Sequence, residues 1–272
     1  MSGRTVVVLC RHSLRRIRPI LLGLGLLLAA FQFLLTQVGG YLVRHSAFGE
    51  LSTLMPDFVR NVAGPSALAF MSFTGIVGLG YFHPIVIAAV VGLTIAIATE
   101  PAAEVETRFV DLTLARELTR AALLVRTIVV FGIAAAVVLG LMILGTSAGL
   151  ACCTPPGVAP PRARTIAALA ASLGSVMTCW AGVTLAVAVA SRRRAIAGGA
   201  VGIAALAAFL LDYVGRAWEP ARAISAVSPF HFFEPTALVM GAPLSTANVA
   251  VLAGIGVIGA AIAWAIFSRR DI

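Results

Sequence analysis

The side chains of this 272-residue chain that could move a proton, hold a metal or attack a carbonyl are chiefly eleven carboxylates, four histidines and four cysteines. Five carboxylates, Glu100, Glu104, Glu106, Asp111 and Glu117, fall in one stretch together with Arg108, Arg116 and Arg120. Two-metal phosphoryl chemistry needs several carboxylates converging on a pair of cations, but no other aspartate lies between Asp57 and Asp212 to accompany Asp111. Asp111 and Glu117 each have an Arg three to five positions away, the spacing of solvated ion pairs on a short helix; a docking surface for a soluble partner is the sharper reading of the same residues. Cys10 and Cys179 stand apart, and the adjacent Cys152 and Cys153 precede Pro155 and Pro156 in an expected outer loop, where they could form a disulfide or be inert. Without a CxxC or a paired His they make no zinc site. No catalytic and no metal-ligating set is expected.

All twenty formally cationic residues are Arg, and lysine is absent. A phosphate-binding P-loop needs a Lys that reaches the terminal phosphates, and Schiff-base catalysis needs a Lys amine. Any ATP must then be hydrolysed on another polypeptide, and this chain is expected to hold no cofactor of its own.

The elements that carry these residues follow from composition. Hydrophobic residues make up 60% of the chain and charged residues 11%, against roughly 25% charged in an average globular domain. Apolar runs of about 20 residues, the length needed to cross the bilayer core, fall at 19–39, 80–99, 122–147, 165–190, 195–212 and 245–267. The expected fold is therefore all-α, one polytopic membrane domain over 1–272 with six transmembrane helices. Residues 62–79 are apolar but interrupted by Gly, Pro, Ser and Thr, and are expected to be re-entrant or packed at the outer surface. The net charge of +9 is spread over segments that flank spans, which fits membrane topology rather than nucleic acid. With both termini cytoplasmic, fourteen Arg lie on inner segments and six on outer ones, as the positive-inside tendency requires.

Four segments between or before the spans are distinctive. In residues 1–18, Val7, Cys10, Leu14 and Ile17 alternate with Arg4, Arg11, Arg15 and Arg18 at helical spacing, predicting an interfacial amphipathic helix before Pro19 opens the first span. The first run follows five Arg and lacks a clean small-residue cleavage site, so it reads as an anchor and not a cleaved signal. Residues 100–121 form the first cytoplasmic loop, and Ser191–Arg194 a tight inner turn. The outer segment 213–244 mixes aromatics and charges with Pro220, Pro229 and Pro235 and predicts outer re-entrant half-helices. Inside the spans ionisable groups are nearly absent. Arg126 is expected to snorkel to the inner surface, His45, His83 and His231 to lie at the outer boundary and His12 at the inner, and Gln32, Gln37 and Thr178 to serve packing. Gly198 and Gly202, and Ala168 and Ser172, are spaced for close helix approach within the subunit.

Six spans, a charged first loop running Asp111-Leu112-Thr113-Leu114-Ala115-Arg116-Glu117-Leu118-Thr119-Arg120, the outer sequence Ser228-Pro229-Phe230-His231-Phe232-Phe233-Glu234-Pro235 and the terminal Phe267-Ser268-Arg269-Arg270-Asp271 together resemble the permeases of type-2 ATP-binding-cassette (ABC-2) exporters. The family's first-loop pattern places Arg108 where Gly is usual and Glu117 where Pro is usual, while Arg120 matches its closing Arg. The resemblance implies a membrane-spanning permease that forms the translocation pathway as a homo- or heterodimer, driven by a separate ABC-type ATPase that carries ATP and Mg. It also implies that Asp111, Arg116, Glu117 and Arg120 couple to that ATPase, and that Ser228, Pro229, Phe230, His231, Phe232 and Glu234 close an outer gate. An ion-coupled secondary transporter and a non-transporting membrane scaffold are the two other classes compatible with the residues.

Overall fold

The computed structural model describes residues 3–45, 72–106 and 120–269, and among these the chain is built from helices and their connecting turns without a strand. In chain order they are α1 (Gly3–Arg44), α2 (Phe73–Phe82), α3 (Pro84–Ala98), α4 (Glu100–Glu106), α5 (Arg120–Cys153), α6 (Ala163–Ala190), α7 (Arg194–Ala217), α8 (Arg222–Ser225), α9 (Pro235–Val239) and α10 (Thr246–Arg269), with 3₁₀ turns at Glu219–Ala221 and Pro229–Phe232. Among the described residues six stretches are long and apolar enough to cross a membrane: Val7–Arg44, Phe73–Ala98, Ala121–Cys153, Ala163–Ala190, Arg194–Arg216 and Thr246–Ser268. Each of the six expected runs falls on one of them, and the architecture is that of a multi-pass membrane protein.

Three local expectations are corrected. Residues 3–44 form a single helix with Pro19 inside it, so residues 3–18 run on into the first span and are not a separate helix. An internal proline forfeits a backbone hydrogen bond and strains the preceding turn; here α5 runs along α1 on both sides of Pro19, sharing a groove with Cys10 before it and meeting Gly25 and Ala29 after it. Within 62–79, residues 73–79 belong to α2 and thus to the second span, while 62–71 lie outside the described residues. The polar residues that soften this stretch begin the helix: the Ser72 hydroxyl accepts the Gly75 N–H at 2.9 Å as an N-cap. Cys152 and Cys153 lie in the last turn of α5, not in a loop; both are unbridged, and the buried Cys153 sulfur takes a 2.6 Å contact from Gln37 Nε2.

The packing centres on α6, where 67% of the most apolar stretch is buried, against 22% in α5, α7 and α10. Two close helix pairs flank it. In one, α1 and α5 run parallel, with Gly145 against the Ala29 backbone and Gly149 against Thr36. In the other, α6 and α10 meet at Gly182 and Gly256, so near that a Cβ on Gly182 would collide with the Gly256 carbonyl. These are the glycines that set helix approach. Of the pair singled out from spacing, Gly198 packs on Ile95 and Thr99, and Gly202 has open space before it. Phe267 buries beside Leu123, Leu124, Leu185 and Val189, so α10 ends at the same end of the bundle where α1 begins. That end is called proximal below, and the end bearing Arg44, Cys153 and the short helices α8 and α9 distal.

Candidate functional site

At the proximal end α4 turns back under the bundle and its acidic residues meet three spans. Glu104 forms an ion pair with Arg126 of α5, with both side chains buried. Glu100 lies 3.7 Å from Arg16 of α1 and 3.8 Å from Arg194 at the start of α7. Arg194 donates to the Ala96 carbonyl at 2.8 Å and to the Thr99 hydroxyl at 3.3 Å, and its backbone N–H donates to Glu106 Oε2 at 2.9 Å. A carboxylate at this helix N-terminus satisfies an orphan N–H and complements the helix dipole. Arg126 therefore does not snorkel: it is 4% exposed, and the carboxylate brought to it by α4 replaces the lipid head groups it would otherwise seek. Of the four residues expected to couple to a partner, Asp111, Arg116 and Glu117 lie outside the described residues; Arg120 opens α5, and its side chain also lies outside them.

Midway along the bundle is a layer of polar groups, in which Gln32 was expected to serve packing and His83 to lie at the outer boundary. Gln32 is fully buried, and neither atom of its amide forms a hydrogen bond. Gly80 lies directly over that amide, leaving no room for a Cβ. One residue further on, the Tyr81 hydroxyl and the Thr146 hydroxyl are 3.0 Å apart, both buried. His83 separates α2 from α3 inside the second span, ten residues beyond Phe73, and so is not at its outer boundary. Its Nδ1 accepts the Ile85 N–H at 3.3 Å and its ring meets Phe31 edge-on at 5.7 Å. Pro84 at the first position of α3 explains the break, because proline has no N–H to continue the α2 ladder and fits a helix start.

Beside this break an apolar groove of about 410 Å³ opens between α3 and α7, lined by residues including Val91, Ile95, Gly202 and Phe209. Phe230 closes its distal end, packed edge-on against Phe209 at 5.5 Å and tilted against Trp180 at 5.9 Å. The expected outer gate thus divides. Ser228 and Phe230 are buried, with the Ser228 hydroxyl donating to the Ala208 carbonyl at 2.8 Å and accepting the Phe230 N–H at 3.1 Å. Pro229, His231 and Phe232 are half-buried, and exposed Glu234 accepts a 3.2 Å bond from Asn248.

Two residues that the resemblance did not pick out hold the distal segment. Arg216 donates to Asp212 at 2.8 Å and to the carbonyls of Phe230 and Phe233 at 3.3 and 3.1 Å. Asp212 Oδ1, which accepts no hydrogen bond, faces His231 Nδ1 at 4.0 Å. The i,i+4 spacing of Asp212 and Arg216 just before a Pro-rich aromatic segment was the available signal. α8 and the Glu219–Ala221 turn pack on the distal end of α7, whereas α9 packs on α2 and α6.

No family model, no curated protein and no solved structure matches this chain.

Proposed function

We propose that this chain is the membrane-spanning permease subunit of an ATP-binding-cassette exporter, forming its pathway as a homo- or heterodimer and driven by a separate ATPase that binds ATP and Mg. The observation that carries the proposal is the clamping of α4 to α1, α5 and α7 through Glu100, Glu104 and Glu106. The segment 107–120 continues directly from α4, so force applied there by a soluble partner has a charged linkage into three spans. A partner that binds one arrangement of those spans more tightly than another shifts the population between them. In this reading Asp111, Arg116, Glu117 and Arg120 receive the ATPase, Phe230 and its neighbours form the outer gate, the protein resides in the cell membrane, and both termini are cytoplasmic. The absence of lysine supports placing ATP hydrolysis on the partner.

One observation favours the ion-coupled secondary transporter as a second reading. His83 sits at a helix break within a span, beside a helix bearing an unsatisfied Gln32, and broken helices with intramembrane polar groups mark ion and substrate sites in such proteins. The test is purification of the tagged chain from its native membrane in mild detergent, with the eluate assayed for vanadate-sensitive ATP hydrolysis. A co-purifying ATPase that is lost when Glu117 and Arg120 are replaced by Ala supports the permease. Stable recovery of the chain without an ATPase, together with transport abolished by His83→Ala, transfers the assignment to the secondary transporter. A chain that binds partners but moves no cargo is a scaffold.

A further inference from the structure

We infer that the proximal half of α1 and the adjoining face of α5 form a binding site for one anionic phospholipid. The inference is independent of whether the chain is a permease. Arg11, Arg15 and Arg18 follow one another at intervals of four and three residues, so they share one side of α1. Val129, Ile133 and Val137 recur at intervals of four on α5 and likewise share a side. The structure sets these two rows face to face along a groove of about 930 Å³ that both line. The register of the parallel pair agrees: Gly25 meets Leu141 and Gly145 meets Ala29, which brings Arg18 level with the middle of the 129–137 row.

The three arginines are exposed, and none forms an ion pair among the described residues. Arg16, between them in sequence, instead reaches Glu100. The carboxylates of α4 therefore neutralise Arg16, Arg126 and Arg194 and leave the groove cationic. Seven residues of helix separate Arg11 from Arg18, about 10 Å of rise, comparable with the roughly 5–8 Å of head-group region on each side of a bilayer. α1 is 42 residues long, about 63 Å, so its proximal turns extend past the roughly 30 Å of hydrocarbon. The apolar row lies beside the arginines and runs about 5 Å past Arg18 toward the bundle centre, where Leu21 and Leu22 of α1 also line the groove. A molecule that satisfies both walls carries a phosphate at the arginine level and a hydrocarbon chain pointing inward. Guanidinium groups suit the first part through paired N–H donors, and the aliphatic row suits the second. A free phosphate would leave the apolar wall uncovered; a zwitterionic phospholipid would set a choline or ethanolamine cation among the arginines.

The test uses the full chain in neutral detergent, exchanged with equal amounts of phosphatidylglycerol and phosphatidylcholine, and retained lipid is counted by native mass spectrometry. The expected result is about one phosphatidylglycerol per chain, retained over phosphatidylcholine and lost at least tenfold in R15A/R18A, but not in R192A/R193A, which removes the same charge elsewhere on the proximal end. Ile133→Trp, which fills the groove with all arginines intact, is expected to reduce retention as well and keeps the test decisive should the double arginine variant fail to fold. Equal loss in R192A/R193A would mean diffuse charge attraction and overturn the site. Displacement of the lipid by millimolar inorganic phosphate would make this a free-anion site, and unchanged retention in Ile133→Trp would remove the apolar wall from it; either result overturns the proposal.

Discussion

Gln32 is surrounded by atoms that offer its amide nothing, with Gly80 pressed against it and no hydrogen bond to either polar atom. A buried amide without partners costs about 1–3 kcal/mol, so Gln32→Leu, similar in size and apolar, is expected to raise thermal stability in detergent by that order. A fall in stability would show that the amide is satisfied in the membrane. Arg126 and Glu104 present the opposite case, a buried pair in which each charge depends on the other. Arg126→Met strands a carboxylate and is expected to destabilise the fold by about 3 kcal/mol, whereas E104M/R126M recovers most of the loss, because removing both charges also removes their desolvation. Thermal unfolding of Arg126→Met, Glu104→Met and the double variant checks the sign of the coupling. Sequence alone identified Gln32 as polar and Arg126 as near a boundary. It could not supply their surroundings, since those come from residues 48 and 22 positions away, Gly80 and Glu104.

Between helices the controlling contacts are backbone against backbone. Lipid tails are as apolar as the helix surfaces, so association in the membrane relies on close packing through small residues more than on the hydrophobic effect. Gly182→Val must push α10 away from α6 and is expected to lower stability by about 1–3 kcal/mol or more, read as a drop in melting temperature. Gly254→Ala, two residues before Gly256 on the other side of α10 and facing open space, is the control; it is expected to leave stability unchanged or to raise it, because alanine is the better helix former. Equal effects of the two would mean that α6 and α10 are not held at this contact. The spacing of Gly198 and Gly202 was as suggestive in sequence as that of Gly145 and Gly149, yet only the latter pair meets a neighbouring helix at both positions. A small-residue motif shows that close approach is possible, and the facing helix decides whether it happens.

At the scale of the whole molecule, α10 ends at the end of the bundle where α1 begins, and the proposed orientation puts that end in the cytoplasm. Cys152 is exposed at the distal end, whereas Cys10, Cys153 and Cys179 are buried. In intact cells a membrane-impermeant maleimide is therefore expected to label the wild-type chain and not Cys152→Ser. Labelling confined to inverted vesicles would reverse the orientation and place the segment 100–121 outside, where no ATPase could reach it.

The six long apolar helices were legible because hydrophobic length is a local property: an uncharged run of about 20 residues has few alternatives to spanning the hydrocarbon. The first-loop charges and the distal Ser228–Pro235 segment were legible for the same reason, as breaks in that pattern. Whether a break in propensity becomes a break in structure was not legible. Pro19 sits inside an unbroken helix that α5 runs along on both sides of it, whereas Pro84 ends one helix and begins another. The partners of Arg126, Arg216 and Arg194, the unsatisfied Gln32, and the arginine row opposite Val129, Ile133 and Val137 were decided by tertiary structure alone. Charge and polarity can be read from one residue, but the energy of either depends on which distant residue the packed helices bring within a few ångströms.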